Sequence, residues 1–188
     1  MANNSTNSQL DINVISYNMH GFNQGANTLS SFCSNFKNQA IPAADIIFLQ
    51  EHWLTPANMF KILNFSNDYV TYGVSATDSA VGRSLLKGRP FGGVCTLIKS
   101  ELSKRVTFSK CCDRVVFTVL GKYLFINCYF PKMCDDSDLF VVQNILLEIE
   151  AAIATNPKCY IVLGGDMNVD LNFRNAKSEI LLELMDNL

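Results

Sequence analysis

Two short apolar runs constrain the fold of this chain more than any other feature of its sequence. Residues 44–51, ADIIFLQE, and residues 158–166, KCYIVLGGD, each contain a continuous apolar run, IIFL and CYIVL, with the length of a strand rather than that of a helix. Strands of this kind are buried on both faces, so they need further layers of structure above and below them. We therefore predict sheets that are covered by helices.

Further strands and helices are predicted around these two runs. The other predicted strands are residues 11–21 and 92–99 and the hairpin 114–131, in which Gly121 favours a type II′ turn. One predicted helix carries Leu29, Phe32, Cys33, Phe36 and Ala40 on one face, with Thr28 or Ser30 as its N-cap. The other predicted helices are residues 55–63, 136–157 and 177–188. This order predicts an α/β (α+β) layered sandwich of mixed β-sheets flanked by helices.

The composition fits one globular domain. The chain has 188 residues, of which 48% are hydrophobic and 17% are charged, and this is enough for a sizeable core. We expect a disordered tail over residues 1–10 and one domain over residues 11–188. Because the last predicted helix runs into the chain end with no closing strand, we expect this domain to be truncated at its C-terminal end.

The charge and the cysteine content indicate which cellular environment and which binding partners the chain favours. The net charge of −2 gives no global basic field, although a local patch would suffice to bind nucleic acid. The seven cysteines are an odd number without a CxxC pair, which favours a reduced, intracellular protein. The polar N-terminus does not resemble a signal peptide, and no apolar run approaches the ~18 residues of a membrane span, so we expect no membrane partner.

Polar side chains follow the predicted strands. Asn18, Glu51, Tyr129 and the pair Asp166 and Asn168 each stand at or just after a strand end. Each alone has an ordinary structural interpretation: a turn residue, a helix cap, a core tyrosine or an Asx turn. Ligands in α/β proteins gather at strand ends, so together they predict a site.

Two glycines precede the last of these pairs. We expect Gly164 and Gly165 to let the chain turn sharply as the strand leaves the core. Asp166 and Asn168 would then point the same way from an extended segment.

Five segments, in this order, resemble one known family: SYNMHG (16–21), FLQEHWL (48–54), GGVCTLIK (92–99), NCYFP (127–131) and VLGGDMNVD (162–170). The chain is thereby similar, over about residues 12–170, to the endonuclease/exonuclease/phosphatase superfamily. LQEHWL and GRPFGGV are most similar to the apurinic-endonuclease-like endonuclease domains of long interspersed (non-long-terminal-repeat) retrotransposons. The resemblance implies a deoxyribonuclease I-like fold and a magnesium-dependent endonuclease that nicks target DNA.

The resemblance also implies residue roles. Glu51 would be the principal ligand of Mg²⁺, with Mn²⁺ as an alternative, and Asn18 would assist at the metal. Asp166 would orient or deprotonate the attacking water, Asn168 would hold the scissile phosphate, and Tyr129 would donate to a phosphate oxygen. Apart from the resemblance, the local charge indicates that a loop flanked by Arg83, Lys87, Arg89 and Lys99 contacts DNA phosphates, Arg89 among them; a merely solvated basic loop is an equal alternative.

The sequence departs from the family pattern at its histidines. The family closes with a terminal Asp-His pair, whereas the histidines of this chain are His20 and His52, both upstream. No terminal catalytic histidine is present, so we expect little or no activity from this chain alone. His52 is expected to be a structural histidine, and Trp53 and Leu54 are expected to pack in the core.

Alternatives to a retrotransposon endonuclease stay open. One is a phosphatase or phosphodiesterase of the same superfamily that acts on a substrate other than nucleic acid. Another is a non-catalytic remnant. The leading interpretation implies DNA as partner, a downstream reverse transcriptase domain in the full-length protein, and a nuclear location.

Overall fold

The computed structural model describes residues 11–34, 43–77, 90–112, 114–132 and 136–186. Within these ranges the strands are β1 (Val14–Asn18), β2 (Ile46–Gln50), β3 (Tyr69–Val74), β4 (Val94–Lys99), β5 (Val106–Cys112), β6 (Val115–Leu120), β7 (Tyr123–Tyr129) and β8 (Tyr160–Asp166). The helices are α1 (Phe22–Cys33), α2 (Phe60–Leu63), α3 (Ser100–Ser103), α4 (Asp136–Thr155) and α5 (Ala176–Asp186), and a 3-10 turn (Pro56–Asn58) precedes α2.

The strands form two mixed sheets of four strands each. Their orders are β1-β2-β4-β3 and β5-β6-β7-β8. In each sheet one pair is parallel, β1 with β2 and β7 with β8, and the other pairs are antiparallel. Parallel pairs need a crossover, and α1 and α4 lie in the two crossovers. Asn18 is thereby in register with Gln50 at one sheet's edge, and Tyr129 with Asp166 at the other's.

The core has three parts that follow the layers. The two sheets face each other through Ile46, Phe48 and Ile98 on one side and Leu120 and Phe125 on the other. The opposite face of the first sheet packs on α1 and α2, and that of the second sheet packs on α4 and α5. The molecule is thus a helix–sheet–sheet–helix sandwich, which confirms the predicted layered α/β architecture.

Elements with strong periodicity are where the sequence predicts them. Every residue of β2 is buried, as expected for a strand covered on both faces. The predicted hairpin is β6 and β7, with Leu120 opposite Tyr123. Gly121 has φ 60° and Lys122 is not among the residues with positive φ, which fits the type II′ turn. The predicted helix over 136–157 is α4, which ends at Thr155.

The predicted start of α1 is wrong. The helix begins at Phe22, with Gly21 at the N-cap position, and neither Thr28 nor Ser30 caps it. The amides of Gln24 and Gly25 already donate to the carbonyl of Gly21, so the helical bonding begins directly after the β1 turn. The first turn carries few apolar residues, and for this reason the apolar spacing alone misses it.

The glycine turn predicted at the end of β8 is also wrong. β8 continues in register through Gly164 and Gly165 to Asp166. The glycines serve close packing: a Cβ at Gly165 would lie 1.9 Å from the carbonyl oxygen of Cys128, and one at Gly164 would lie 3.0 Å from Phe48. β8 is only partly buried because, in the described part of the chain, it pairs with β7 alone.

Two strands were not individually predicted, and some expectations are outside the described residues. β3 contains Gly73, and β5 is largely exposed, so neither has a clear apolar pattern. The tail 1–10, Phe36, Ala40 and the basic residues Arg83, Lys87 and Arg89 lie outside the described ranges. Among the residues that are described, no helix combines the length and apolar character needed to cross a membrane.

Candidate active site

Asn18 connects the two sheets at one edge of the sandwich. Its amide nitrogen donates to Glu51 Oε1 at 2.9 Å and to Asp166 Oδ2 at 2.7 Å. Asn18 ends β1, Glu51 directly follows β2 and Asp166 ends β8, so the parallel pairing of each sheet brings these groups to the same edge. Two carboxylates from distant parts of the chain therefore lie against one amide group.

Glu51 has a second partner that the sequence did not indicate. The indole Nε1 of Trp53 donates to Glu51 Oε2 at 3.1 Å. Trp53 is only partly buried, which corrects the expectation that it packs in the core, whereas Leu54 is buried as expected. Both carboxylate oxygens of Glu51 thus accept a hydrogen bond, and these bonds fix the orientation of the carboxylate.

Asp166 and Asn168 interact directly. The backbone amide of Asn168 donates to Asp166 Oδ1 at 2.9 Å. The side-chain amide of Asn168 donates to the carbonyl oxygen of Phe130 at 2.9 Å and, at 3.3 Å, to Asp166 Oδ2. Asn168 has φ 47°, so the segment turns here instead of staying extended as predicted.

Tyr129 completes the group from the end of β7. Burial of its hydroxyl, with the nearby Glu51 carboxylate as the next cause, raises the pKa of Tyr129 to about 12. The guanidinium of Arg114 lies over the Tyr129 ring, 5.2 Å from its centroid, and opposes part of this increase. The hydroxyl therefore keeps its proton at neutral pH and is a hydrogen-bond donor beside the two carboxylates.

The backbone is strained at the same edge. In the described part of the chain, the non-glycine residues with positive φ are His20 (48°), Glu51 (53°), Trp53 (56°) and Asn168 (47°). Such conformations cost of order 1–3 kcal/mol each and cluster at functional sites. Their coincidence with the carboxylates and amides favours a functional edge over a set of ordinary turns.

Lys177 binds the backbone on which Asn168 is positioned. The sequence did not indicate this residue. This lysine of α5 is 2% exposed, and its Nζ donates to the carbonyl oxygens of Pro131 at 2.6 Å and Asn168 at 3.1 Å. Burial lowers the pKa of Lys177, and the charge of Asp166 opposes this effect. No local pattern distinguishes Lys177 from a surface lysine, because its carbonyl partners come from other segments.

His52 and Asn127, which also lie near strand ends, are structural. His52 is fully buried; its Nδ1 accepts from the amide of Leu54 at 3.0 Å, so the proton is on Nε2, 2.9 Å from the carbonyl oxygen of Val74. Asn127 is buried between the sheets, where it accepts from Gln50 at 2.7 Å and donates to the carbonyl of Cys95 at 2.9 Å. The backbone amide of exposed His20 donates to Asn18 Oδ1 at 2.9 Å, and its imidazole lies beside the Trp53 indole with the ring planes tilted by 58°.

The chemistry of these donors fits a hard divalent cation. Glu51 and Asp166 offer carboxylate oxygens at one partly exposed edge, and Mg²⁺ is often held by one or two carboxylates together with substrate phosphate. No group of three or more histidine, cysteine or acidic residues forms a metal cluster among the residues described.

Comparisons with known proteins identify the family of the chain and solved structures with a similar fold. The sequence profile of the endonuclease/exonuclease/phosphatase family matches residues 15–178. Among solved structures, a 3′ phosphatase, NExo, from Neisseria bound to a product DNA hairpin is 13% identical, with a TM-score of 0.62, and the match covers 94% of this chain and 71% of that chain. The 3′-5′ exonuclease NExo from Neisseria meningitidis is 13% identical with a TM-score of 0.63, over 93% of this chain and 70% of that one. No curated protein matches the sequence.

Proposed function

Because this chain belongs to the endonuclease/exonuclease/phosphatase family, we propose that it is a divalent-cation-dependent DNA endonuclease. Members of the family are nucleases and phosphatases that hydrolyse phosphate esters and generally use divalent metal ions. One observation carries the proposal: Asn18 bonds both Glu51 and Asp166, which come from different sheets. An ordinary turn or cap at either carboxylate does not explain this arrangement.

The reaction would be in-line displacement at phosphorus: the water oxygen forms a bond to phosphorus, the bond from phosphorus to one ester oxygen breaks, and that oxygen leaves as a hydroxyl after taking a proton from solvent. Asp166 would orient that water and accept its proton, because the bonds from Asn18 and the Asn168 amide fix the carboxylate in place. Tyr129 would donate to a phosphate oxygen, which its raised pKa permits. Asn168 would hold the scissile phosphate by exchanging its longer bond to Asp166, at 3.3 Å, for a phosphate oxygen.

Glu51, with Asn18 in support, would hold the cation. Bound Mg²⁺, or Mn²⁺, would supply positive charge that offsets the negative charge developing on the phosphate. Asn18 Oδ1 accepts from His20, and its nitrogen faces both carboxylates. In this orientation Asn18 holds the two carboxylates together, and direct ligation through its oxygen would require the amide to turn.

The finer proposal is target-site nicking for a retrotransposon. It is supported by the segments LQEHWL (49–54) and GRPFGGV (88–94), which are similar to that branch of the family. Such a role would require access to nuclear DNA and a reverse transcriptase domain downstream in the full-length protein. Arg89 would contact DNA phosphates in this role.

Nicking of supercoiled plasmid in Mg²⁺ tests the activity. We would assay the 188-residue chain and the same chain extended through the downstream reading frame, each with Glu51→Ala. Glu150→Ala, which removes an exposed carboxylate of α4, is the matched control. We expect nicking in the extended chain that Glu51→Ala abolishes and Glu150→Ala leaves unchanged. A folded extended chain that is inert on DNA would contradict the nuclease proposal and favour the phosphatase or the remnant.

Cation binding has a readout that does not depend on turnover. Trp53 is the only tryptophan and donates to Glu51, so its fluorescence reports on this carboxylate. We expect Mn²⁺ to quench this fluorescence, Mg²⁺ to compete with the quenching, and Glu51→Ala to remove the effect. Equal quenching in the wild type and in Glu51→Ala would exclude Glu51 as the ligand.

A further inference from the structure

Aromatic rings form an exposed surface beside Glu51. The ring centroids of His20 and Trp53 are 4.8 Å apart with the planes tilted by 58°, and those of Trp53 and Phe91 are 5.6 Å apart in an edge-to-face arrangement at 76°. Each ring thus presents its own face. His20 is exposed, and Phe91 is 65% exposed. We call these residues, His20, Trp53 and Phe91, the aromatic platform.

The platform has a fixed position relative to the site. The Trp53 indole donates to Glu51, and the backbone of His20 donates to Asn18. A Cβ at Gly21 would lie 2.6 Å from Trp53 Cε3, so the indole packs directly on the Gly21 backbone. The rings are therefore connected to the candidate catalytic groups and are not a separate surface patch.

A cavity of about 370 Å³ opens next to the platform. Trp53 forms one wall, and Asn23, Gln24, Asn58 and Lys61 contribute polar groups. The volume lies within the range of small-molecule sites, roughly 300–1,000 Å³. The side-chain amides can form hydrogen bonds with the edge of a nucleobase, and the Trp53 indole can pack against its face. The ammonium group of Lys61 can pair with a phosphate.

We propose that the aromatic platform and this cavity bind an unpaired nucleotide beside the bond that is cleaved. Bases in a duplex stack on one another and present only their edges, whereas an unpaired base exposes a face that stacks on aromatic rings. The substrate would accordingly be DNA with an unpaired nucleotide next to the scissile phosphate. This inference rests on the proposed function for its substrate class.

Binding of fluorescent oligonucleotides tests the platform without cleavage. The probes carry 2-aminopurine either in a single-stranded overhang or inside a blunt duplex, and EDTA prevents turnover. We expect the wild type to quench the overhang probe and to bind it more tightly than the duplex. Phe91→Ala should weaken overhang binding roughly tenfold, and Phe91→Tyr should retain it.

A matched control separates stacking from general loss of an exposed ring. Phe140 on α4 is also 65% exposed, so Phe140→Ala removes the same side chain at the same exposure away from the platform. It should bind both probes like the wild type. Equal binding by Phe91→Ala and Phe140→Ala would overturn the inference.

The outcomes for the two proposals can be told apart. If plasmid nicking depends on Glu51 but overhang binding does not depend on Phe91, the nuclease proposal stands and the platform inference is wrong. If nicking is absent but quenching of the overhang probe depends on Phe91, the platform inference stands as a binding site and the nuclease proposal is wrong.

Discussion

At the scale of single residues, Tyr129 is the group whose protonation the site controls most clearly. Burial and Glu51 raise its pKa from 10.0 to about 12. We expect the hydroxyl to remain a donor at pH 10, where an ordinary phenol is half ionised. Tyr129→Phe should lower the cleavage rate about 100-fold, as for loss of one preorganised donor. The wild-type to mutant rate ratio, measured from pH 7 to 10.5, should stay constant.

The same shift has a consequence for stability. The folded chain holds the Tyr129 proton more tightly than the unfolded chain does, so this contribution is present below pH 10 and is lost as the pH rises towards 12. As the pH rises from 10 towards 12, the free energy of unfolding measured with denaturant should therefore fall more steeply for the wild type than for Tyr129→Phe. If the free energies of unfolding of the two proteins fall in parallel with pH, the pKa of the Tyr129 hydroxyl is not raised by folding.

At the scale of elements, adjacent glycines before β4 allow a matched comparison. Gly92 and Gly93 have φ 90° and 86°, so an alanine is strained at either position. Among the described residues, a Cβ at Gly92 would meet only Tyr129 Cε1, at 3.7 Å, whereas one at Gly93 would lie 2.3 Å from His52 Cε1. His52 cannot move aside easily, because both its ring nitrogens are bonded.

Gly93→Ala should therefore lower the free energy of unfolding by about 1–3 kcal/mol more than Gly92→Ala does. Urea denaturation of the two variants measures this difference. Equal losses would indicate that backbone strain alone acts at both positions and that the His52 ring yields.

The attachment of α5 to the site gives a second prediction at this scale. Lys177→Met keeps the side-chain length but leaves the carbonyls of Pro131 and Asn168 without their donor. We expect a loss of about 1–3 kcal/mol in unfolding free energy, since buried polar groups are then unsatisfied. Lys158→Met, at an exposed position, is the control and should change the free energy of unfolding little. If Lys177→Met has an equally small effect, the bonds from α5 do not stabilise the Asn168 segment.

At the scale of the whole molecule, the site depends on the contact between the sheets. Asn18 and Glu51 belong to the first sheet, and Tyr129 and Asp166 to the second. Phe48 is 1% exposed at the inter-sheet core, where it packs against Phe125 and Gly164. Phe48→Ala should therefore lower the free energy of unfolding by about 3–5 kcal/mol.

The Phe48→Ala loss should appear in one transition. Trp53 fluorescence, which reports on the first sheet, and far-UV circular dichroism, which reports on both sheets, should share one midpoint in the wild type and in the variant. Phe108→Ala, on an exposed face of β5, is the control and should shift the midpoint little. Separate midpoints would show that the sheets unfold independently.

Sequence and tertiary structure determined different parts of this protein. Local periodicity was sufficient for the buried strand β2, the hairpin, α4 and α5, because burial requires apolar residues at fixed spacing. Residue types at strand ends were sufficient to nominate Asn18, Glu51, Tyr129, Asp166 and Asn168, which the fold brings to one edge.

The contacts among those residues were decided by the tertiary structure alone. Asn18 and Asp166 are 148 positions apart, and only the register of two parallel strand pairs and the packing of two sheets makes them partners. The positive φ angles that aim Glu51 and Trp53 at each other, and the burial of Lys177 beneath Asn168, likewise depend on neighbours from other segments. Local sequence sets what each element is, but long-range packing sets which polar groups meet, because a hydrogen bond between distant residues has no periodicity along the chain.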